Sequence, residues 1–147
     1  MNLIPKKTYR NIVDAMPILC VDAIIRNDQG QVLLVKRTNE PLKGEWWVPG
    51  GRVYKGEGLE DSIQRKIKEE LGIDINIKGV AGYYEDQFEK NPLNIASGLH
   101  TLGIVFEVTP ENLDIQLDNQ SGGWDFFDKL PTRLVIKPFM PSTASSK

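Results

Sequence analysis

The sequence is short of the residues that several kinds of protein are built from. It contains a single cysteine, Cys20, which excludes an internal disulfide framework and agrees with a cytoplasmic location. Cys20 lies in the apolar run ILCVDAIIR and reads as a small core residue. No stretch approaches the ~20 apolar residues of a membrane span, and no long apolar segment opens the chain, so neither a membrane span nor a signal peptide is expected. The formal net charge is only −2, too balanced for a surface that tracks a nucleic acid polymer. With 40% hydrophobic residues, the chain is not a disordered tail. No internal repeat is present.

What remains is enough for one domain. A chain of 147 residues buries about 68–70% of its unfolded surface on folding. The domain is expected over residues 1–140, with 141–147 (PSTASSK) a frayed tail. In the segment 1–17, Tyr9, Ile12, Val13 and Met16 recur at helical spacing. That apolar face packs either on its own domain or on a second copy as a homodimer contact. Ile18–Arg26 reads as a buried strand interrupted by Asp22, whose charge needs a partner or a cleft. Asn27–Gly30 is a turn, and Gln31–Lys36 the returning strand of a hairpin with Arg37 at its end. Thr38–Gly44 is a loop, and Trp46 and Trp47 point to opposite faces of a short strand, one toward the core.

Farther on, Asp74–Lys78 and Val80–Phe88 read as two strands, the second rich in aromatics with Tyr83 and Tyr84. Glu89–Gly98 is expected to be a mobile loop and Leu99–Val108 a strand carrying the lone His100, a residue more often structural than catalytic in such a place. Gln120–Gly123 reads as a turn before Trp124–Phe127, and a last short helix is expected between Lys129 and Pro138. Periodicity alone gives a mixed α and β domain.

The most informative stretch runs from Val48 to Ile73: VPGGRVYKGEGLEDSIQRKIKEELGI. A glycine pair follows a strand and leads through a loop into a helix. Ile63, Ile67 and Leu71 share one face of it, and Gly72 supplies a left-handed stop. A glycine loop feeding a helix with adjacent carboxylates, Glu69 and Glu70, can hold a hard cation beside a phosphate. Five residues separate Gly51 from Glu57 and seven separate Glu57 from Arg65; Ile67, Glu69, Glu70, Gly72 and Ile73 follow in register. This resembles the Nudix hydrolase signature, GX5EX7REUXEEXGU with U aliphatic, at eight of its nine fixed positions. The departure is Lys66, which stands where the signature has its first helical Glu.

The resemblance implies an α/β/α sandwich with a mixed β-sheet, and an enzyme using Mg²⁺, with Mn²⁺ as a substitute. Glu69, Glu70 and the carbonyl of Gly50 would be metal ligands, and Glu57 with Arg65 a supporting ion pair. For Glu69 the plainer alternative is a surface i,i+4 partner of Arg65. Lys66 opposes a multi-metal site unless it turns outward to water.

The run KRTNEPLKGEWWVPGGRV, with the stretch from Pro17 through Asp22, is similar to the GDP-mannose mannosyl hydrolase branch of that family. By that similarity Arg37 and Arg52 would bind the diphosphate and stabilise the leaving group, with Glu70 holding the catalytic metal. Asp22 would lie near the sugar, and Gln120 would add a metal ligand. The implied reaction is attack of water on the anomeric carbon of a nucleoside diphosphate sugar, GDP-mannose to GDP and mannose. One departure stands out: the branch places a general-base histidine directly after that glutamine, and here the residue is Ser121. A lone serine hydroxyl does not accept a proton near neutral pH, so His100 or a carboxylate replaces the base, or the reaction differs. Two alternatives stay open: a Nudix pyrophosphatase attacking phosphorus of a nucleotide sugar or nucleoside triphosphate, and a nucleotide-binding domain with little turnover.

Overall fold

A computed structural model describes residues 4–139; the tail expected over 141–147 lies outside them. Helix α1 spans Lys6–Ala15, followed by strands β1 (Ile18–Ile25), β2 (Val32–Arg37), β3 (Trp46–Trp47) and β4 (Gly50–Arg52). Helix α2 covers Leu59–Leu71, and β5 (Ile75–Phe88), β6 (Leu99–Pro110) and β7 (Ser121–Phe127) complete the order. One sheet runs β4-β1-β6-β5 and the other β3-β2-β7. The β1–β6 pair is parallel and the remaining pairs are antiparallel. This is the mixed-sheet α/β fold expected.

Alternation of side chains along β1 and β2 feeds two cores on opposite faces. Val21, Ala23, Ile25, Leu33 and Val35 meet Ile63, Ile67 and Leu71 of α2 on one face. Ile24, Val32 and Leu34 meet Trp47, Tyr84, Val105 and Leu134 on the other. The α2 residues have no exposed surface, so burying each is worth about 1.5–3 kcal/mol. Glu60 and Asp61 sit at the positive end of α2, and Gly72 closes it at φ 73°.

Five expectations are corrected. The β1–β2 hairpin does not form: the Asn27–Gly30 turn is present, but the strands meet only at the Arg26–Val32 bridge. Both lateral edges of β1 are taken by β4 and β6, so β2 leaves for the second sheet. The two strands expected over 74–88 are one, bent by irregularities at Ile77/Gly79 and Val80/Gly82. Gln120–Gly123 is not a separate turn, because Ser121, Gly122 and Gly123 already belong to β7. No helix forms between Lys129 and Pro138; Leu130, Leu134 and Ile136 cover the second core in a non-helical segment, and Lys137 bridges to Tyr83. The loop 89–98 is pinned: Asn91, 4% exposed, accepts hydrogen bonds from the N–H groups of Leu93 and Ile95 and donates to the carbonyls of Glu89 and Ile95. Its Ile95 packs with Val13 and Ile18.

Helix α1 places its apolar face on its own chain. Val13 is buried with Ile18 and Ile95, and Tyr9 and Ile12 pack beside them. Met16, in phase with that face, remains 60% exposed because it caps the helix in extended backbone. No helix among the described residues is long and apolar enough to cross a membrane.

Candidate active site at the glycine loop

The glycine loop lies between β3 and α2, where the chain crosses from one sheet to the other. The glycines are required for space rather than for a left-handed backbone. A Cβ on Gly50 would sit 2.2 Å from Asp22 Oδ1 and 2.2 Å from the carbonyl oxygen of Val21. One on Gly51 would sit 2.4 Å from Cε of Lys66. Lys66 therefore folds across the loop instead of snorkelling outward. Beside it a cleft of about 340 Å³ opens, lined by Arg37, Glu40, Arg52, Lys66, Glu70 and Gln120, among others.

Glu70 occupies the buried side of α2, only 5% exposed. One of its oxygens accepts a long hydrogen bond, 3.3 Å, from the N–H of Gly50. Burial pushes its carboxyl up to about 7, with Lys66 pulling the other way and Asp118 adding to the rise. A buried carboxylate so thinly supported is short of positive charge. Glu69 faces elsewhere: its carboxylate is 3.0 Å from Arg65, and the residue is not among those lining the cleft. No group of three or more acidic, histidine or cysteine residues fit to hold a metal occurs among the described residues. Of the expected metal ligands, Gly50, Glu70 and Gln120 line the cleft and Glu69 does not; one helix carboxylate with carbonyl and amide oxygens would suit a single hard cation that keeps water and phosphate ligands.

Arg65 ties loop to helix. Its guanidinium donates to Glu57 at 2.6 Å and to the carbonyl of Arg52 at 3.1 Å, and lies 3.7 Å above the ring of Tyr54. This guanidinium, with help from the Tyr54 N–H, holds the Glu57 carboxyl down at about 2. Arg52 lies over the same ring, 4.8 Å from its centre, and 5.3 Å from the ring of Tyr9 on α1.

A smaller chamber of about 140 Å³ opens beside the glycine pair, with Asp22 and Thr101 on its wall. Asp22 is 4% exposed and accepts a 2.8 Å hydrogen bond from the Tyr84 hydroxyl. Burial pushes its carboxyl up to about 7, against the Tyr84 bond and the charge of Arg37. Gly103 makes the pair possible, since a Cβ there would fall 2.2 Å from the Tyr84 ring. Thr101 is 7% exposed and its Oγ1 is buried without a partner.

Arg37 anchors the cleft's far rim through Nε to the carbonyl of Pro41, 2.7 Å. Ser121 pairs with it across β2 and β7 and also lines the cleft. Gln120 is held by its backbone, donating to Asp118 and accepting from Thr38. His100 is elsewhere, in a depression beside the end of α1, with Nε2 3.7 Å from Glu85. Of the two tryptophans of β3, Trp47 is buried against Tyr84 and Trp46 packs on Phe127, 5.0 Å between ring centres. The structure adds cleft residues that the sequence did not single out: Tyr9, Glu40, Tyr54 and Thr101. Only Glu40 had a local signal, its place in the loop directly after Arg37. Cys20 also reaches the cleft, but desolvation pushes its thiol up to about 12, which makes it no nucleophile near neutrality.

The NUDIX domain profile matches residues 16–133. The low-salt glycan biosynthesis protein Agl8 of Haloferax volcanii is 38% identical over 125 residues, covering 85% of this chain and 80% of that protein. An ADP-ribose pyrophosphatase of Methanocaldococcus jannaschii is 34% identical over 112 residues, covering 76% of this chain and 62% of that protein. Among solved structures, a MutT NUDIX hydrolase from Burkholderia pseudomallei superimposes with a TM-score of 0.68 at 26% identity, over 82% of this chain and 91% of that one. A MutT protein from Methanosarcina mazei gives a TM-score of 0.65 at 27% identity, over 76% and 78%. With the loop–helix signature in place and the profile spanning most of the sequence, the chain belongs to the Nudix hydrolase family.

Proposed function

We propose that this Nudix hydrolase cleaves a nucleoside diphosphate sugar by attack of water on the anomeric carbon, releasing the sugar and the nucleoside diphosphate. GDP-mannose, giving GDP and mannose, is the first substrate to test. The observation that carries the reading is the charge pattern of the cleft: one helix carboxylate, Glu70, among the cations Arg37, Arg52 and Lys66. A multi-metal site built for attack on phosphorus needs more carboxylates than this. A cationic wall instead matches a diphosphate leaving group, whose negative charge grows as the C–O bond breaks. The glycan-biosynthesis name of the H. volcanii relative supports a sugar-linked substrate.

Glu70, the Gly50 carbonyl and Gln120 would hold one Mg²⁺, or Mn²⁺ in its place. When bound, the ion supplies positive charge at the diphosphate. Arg37 and Arg52 bind and orient the diphosphate oxygens, and Arg52 stabilises them as the bond breaks. Asp22 faces the chamber where the sugar would sit, held by Tyr84. Glu69 supports Arg65 in this reading and is a weaker candidate for the metal. For the base, His100 lies outside the cleft, and the carboxylates lining it are Glu40 and Glu70. With Glu70 on the metal, Glu40 accepts the proton of the attacking water. Glu40→Gln is expected to lower kcat about 10²–10⁴-fold, with KM for the nucleotide sugar little changed.

The rival reading is attack at phosphorus, favoured by the ADP-ribose pyrophosphatase among the relatives. Hydrolysis in ¹⁸O-labelled water separates the two. Label in the free sugar is expected; label in a nucleotide or a sugar phosphate refutes attack at carbon. Absence of turnover that needs metal, across a panel of nucleotide sugars, would leave only binding.

A further inference from the structure

Phe88 ends β5, Leu99 begins β6, and the two residues stand opposite each other in the ladder between those strands. Steps of two along the same face bring Asp86 opposite Thr101 and Tyr84 opposite Gly103. Tyr84 reaches over Gly103 to Asp22 at one end of the small chamber. Phe88 and Leu99 line the same chamber four residues farther along β5, about 13 Å of strand.

These two side chains also line the depression beside the end of α1. Of the residues that line either space, they alone line both. The depression has a volume of about 440 Å³ and the chamber one of about 140 Å³. Both side chains are half-buried, and each is held. Leu99 packs with Val13, Ile18 and Ile95. The Arg133 guanidinium lies 4.7 Å from the centre of the Phe88 ring. Arg133 is itself fixed, donating to the two carboxylate oxygens of Asp86 at 2.6 and 2.5 Å and to the carbonyl of Gln87 at 3.2 Å. A two-point pair with a carboxylate sets the plane of a guanidinium, and its attraction to an aromatic ring favours one placement of that ring.

We infer that Phe88 and Leu99 form a partition that limits the size of the sugar the chamber accepts, admitting a plain hexose and rejecting one with a bulky substituent. The inference rests on the reading of the chamber as the place of the sugar. A packed apolar wall resists added bulk because its side chains must leave their rotamers or the backbone must shift. With the wall thinned, the same bulk enters the larger space beyond it.

Calorimetric titrations of the full chain test this, with EDTA present so that metal-dependent turnover does not consume the ligand. The ligands are GDP, GDP-mannose and two analogues of GDP-mannose that carry an acetamido group at C2 or at C6 of the sugar. The wild type is expected to bind GDP-mannose more tightly than GDP. It should bind both analogues at least about 10-fold more weakly than GDP-mannose, since one surplus methylene already costs an apolar pocket that much. Phe88→Ala is expected to bring at least one analogue to within about 3-fold of GDP-mannose, with GDP itself within about 2-fold of its wild-type affinity. Leu99→Ala, which thins the partition from the other strand, should relax the selection in the same sense. If the wild type binds GDP-mannose no better than GDP, the sugar reading of the chamber fails and the partition role falls with it. If GDP-mannose binds better than GDP but neither variant narrows the gap to the analogues, the sugar reading stands and the partition is overturned. Wild-type protein that accepts both analogues as readily as GDP-mannose overturns it as well. Melting temperatures and GDP affinities show that the fold and the diphosphate site of each variant are intact.

Discussion

At the scale of single residues, the site depends on which way adjacent side chains point. Glu69 and Glu70 are neighbours on a helix, so they diverge by about 100°. Glu70 enters the cleft at 5% exposure, whereas Glu69 goes to Arg65. Glu70→Gln is expected to lower metal-dependent kcat by about 10²-fold or more, since a neutral amide replaces the one helix carboxylate of the cleft. Glu69→Gln should cost less than about 10-fold. Steady-state kinetics on both variants checks this, and equal large losses would argue for a conventional multi-metal arrangement. Thr101 gives a second prediction. Its Oγ1 is buried with no partner, and such an orphan costs about 1–3 kcal/mol. Thr101→Val keeps the shape and removes the orphan, so calorimetry should show a higher Tm. A lower Tm would reveal a hydrogen bond to ordered water at that position.

At the scale of elements, the loop and α2 act as one unit because Arg65 clamps them. The Glu57 carboxyl titrates near 2 in place of the ordinary 4.5. Its ionised form is therefore favoured by folding. The resulting stabilisation is fully present above about pH 4.5 and is lost as pH falls toward 2. Glu57→Gln should lower Tm at neutral pH and flatten the fall in Tm across that acid range. Thermal melts of both proteins from pH 2 to 7 test it, and parallel curves would deny the ion pair its role. The side chain is poorly exposed, 16%, so salt should weaken the pair less than it would weaken a surface bridge. Loss of this clamp should also raise KM, because Arg65 holds the carbonyl of Arg52.

At the scale of the whole molecule, the cleft is assembled from parts far apart in sequence. Helix α1, the start of β1, the end of β2, the glycine loop, α2, the start of β6 and the start of β7 all contribute to its wall. A ligand that joins these parts stabilises all of them together. At a concentration about 100 times Kd, binding adds about 2.7 kcal/mol, which for a chain of this size raises Tm by about 5–10 °C. Differential scanning fluorimetry with GDP and Mg²⁺ is expected to show that rise, and chelation should remove most of it. An equal shift with and without metal would speak against a metal-bridged diphosphate.

The sequence by itself determined the parts whose cause is local. The four-residue spacing of Ile63, Ile67 and Leu71 and the αL stop at Gly72 define α2, and the distances from Gly51 to Glu57 and Arg65 define the loop. Local chemistry also gave Asp22 as a buried charge that needs a partner. The partner itself, Tyr84, stands 62 positions away and was decided by the pairing of β5 with β6. Tertiary structure also decided where β2 went. Its turn is local and formed as read, but the edges of β1 were filled by β4 and β6, and no local pattern records which edge is already occupied. The segment after β7 had helical candidates in its sequence, yet covering the second core needed only three apolar anchors, which a non-helical chain with a turn at Pro131–Leu134 supplies. His100 left the list of cleft residues for the same reason that Tyr9 entered it: membership is set by which strands and helices lie side by side. That depends on long-range packing of apolar faces, and such packing can place an N-terminal helix against an arginine of the glycine loop.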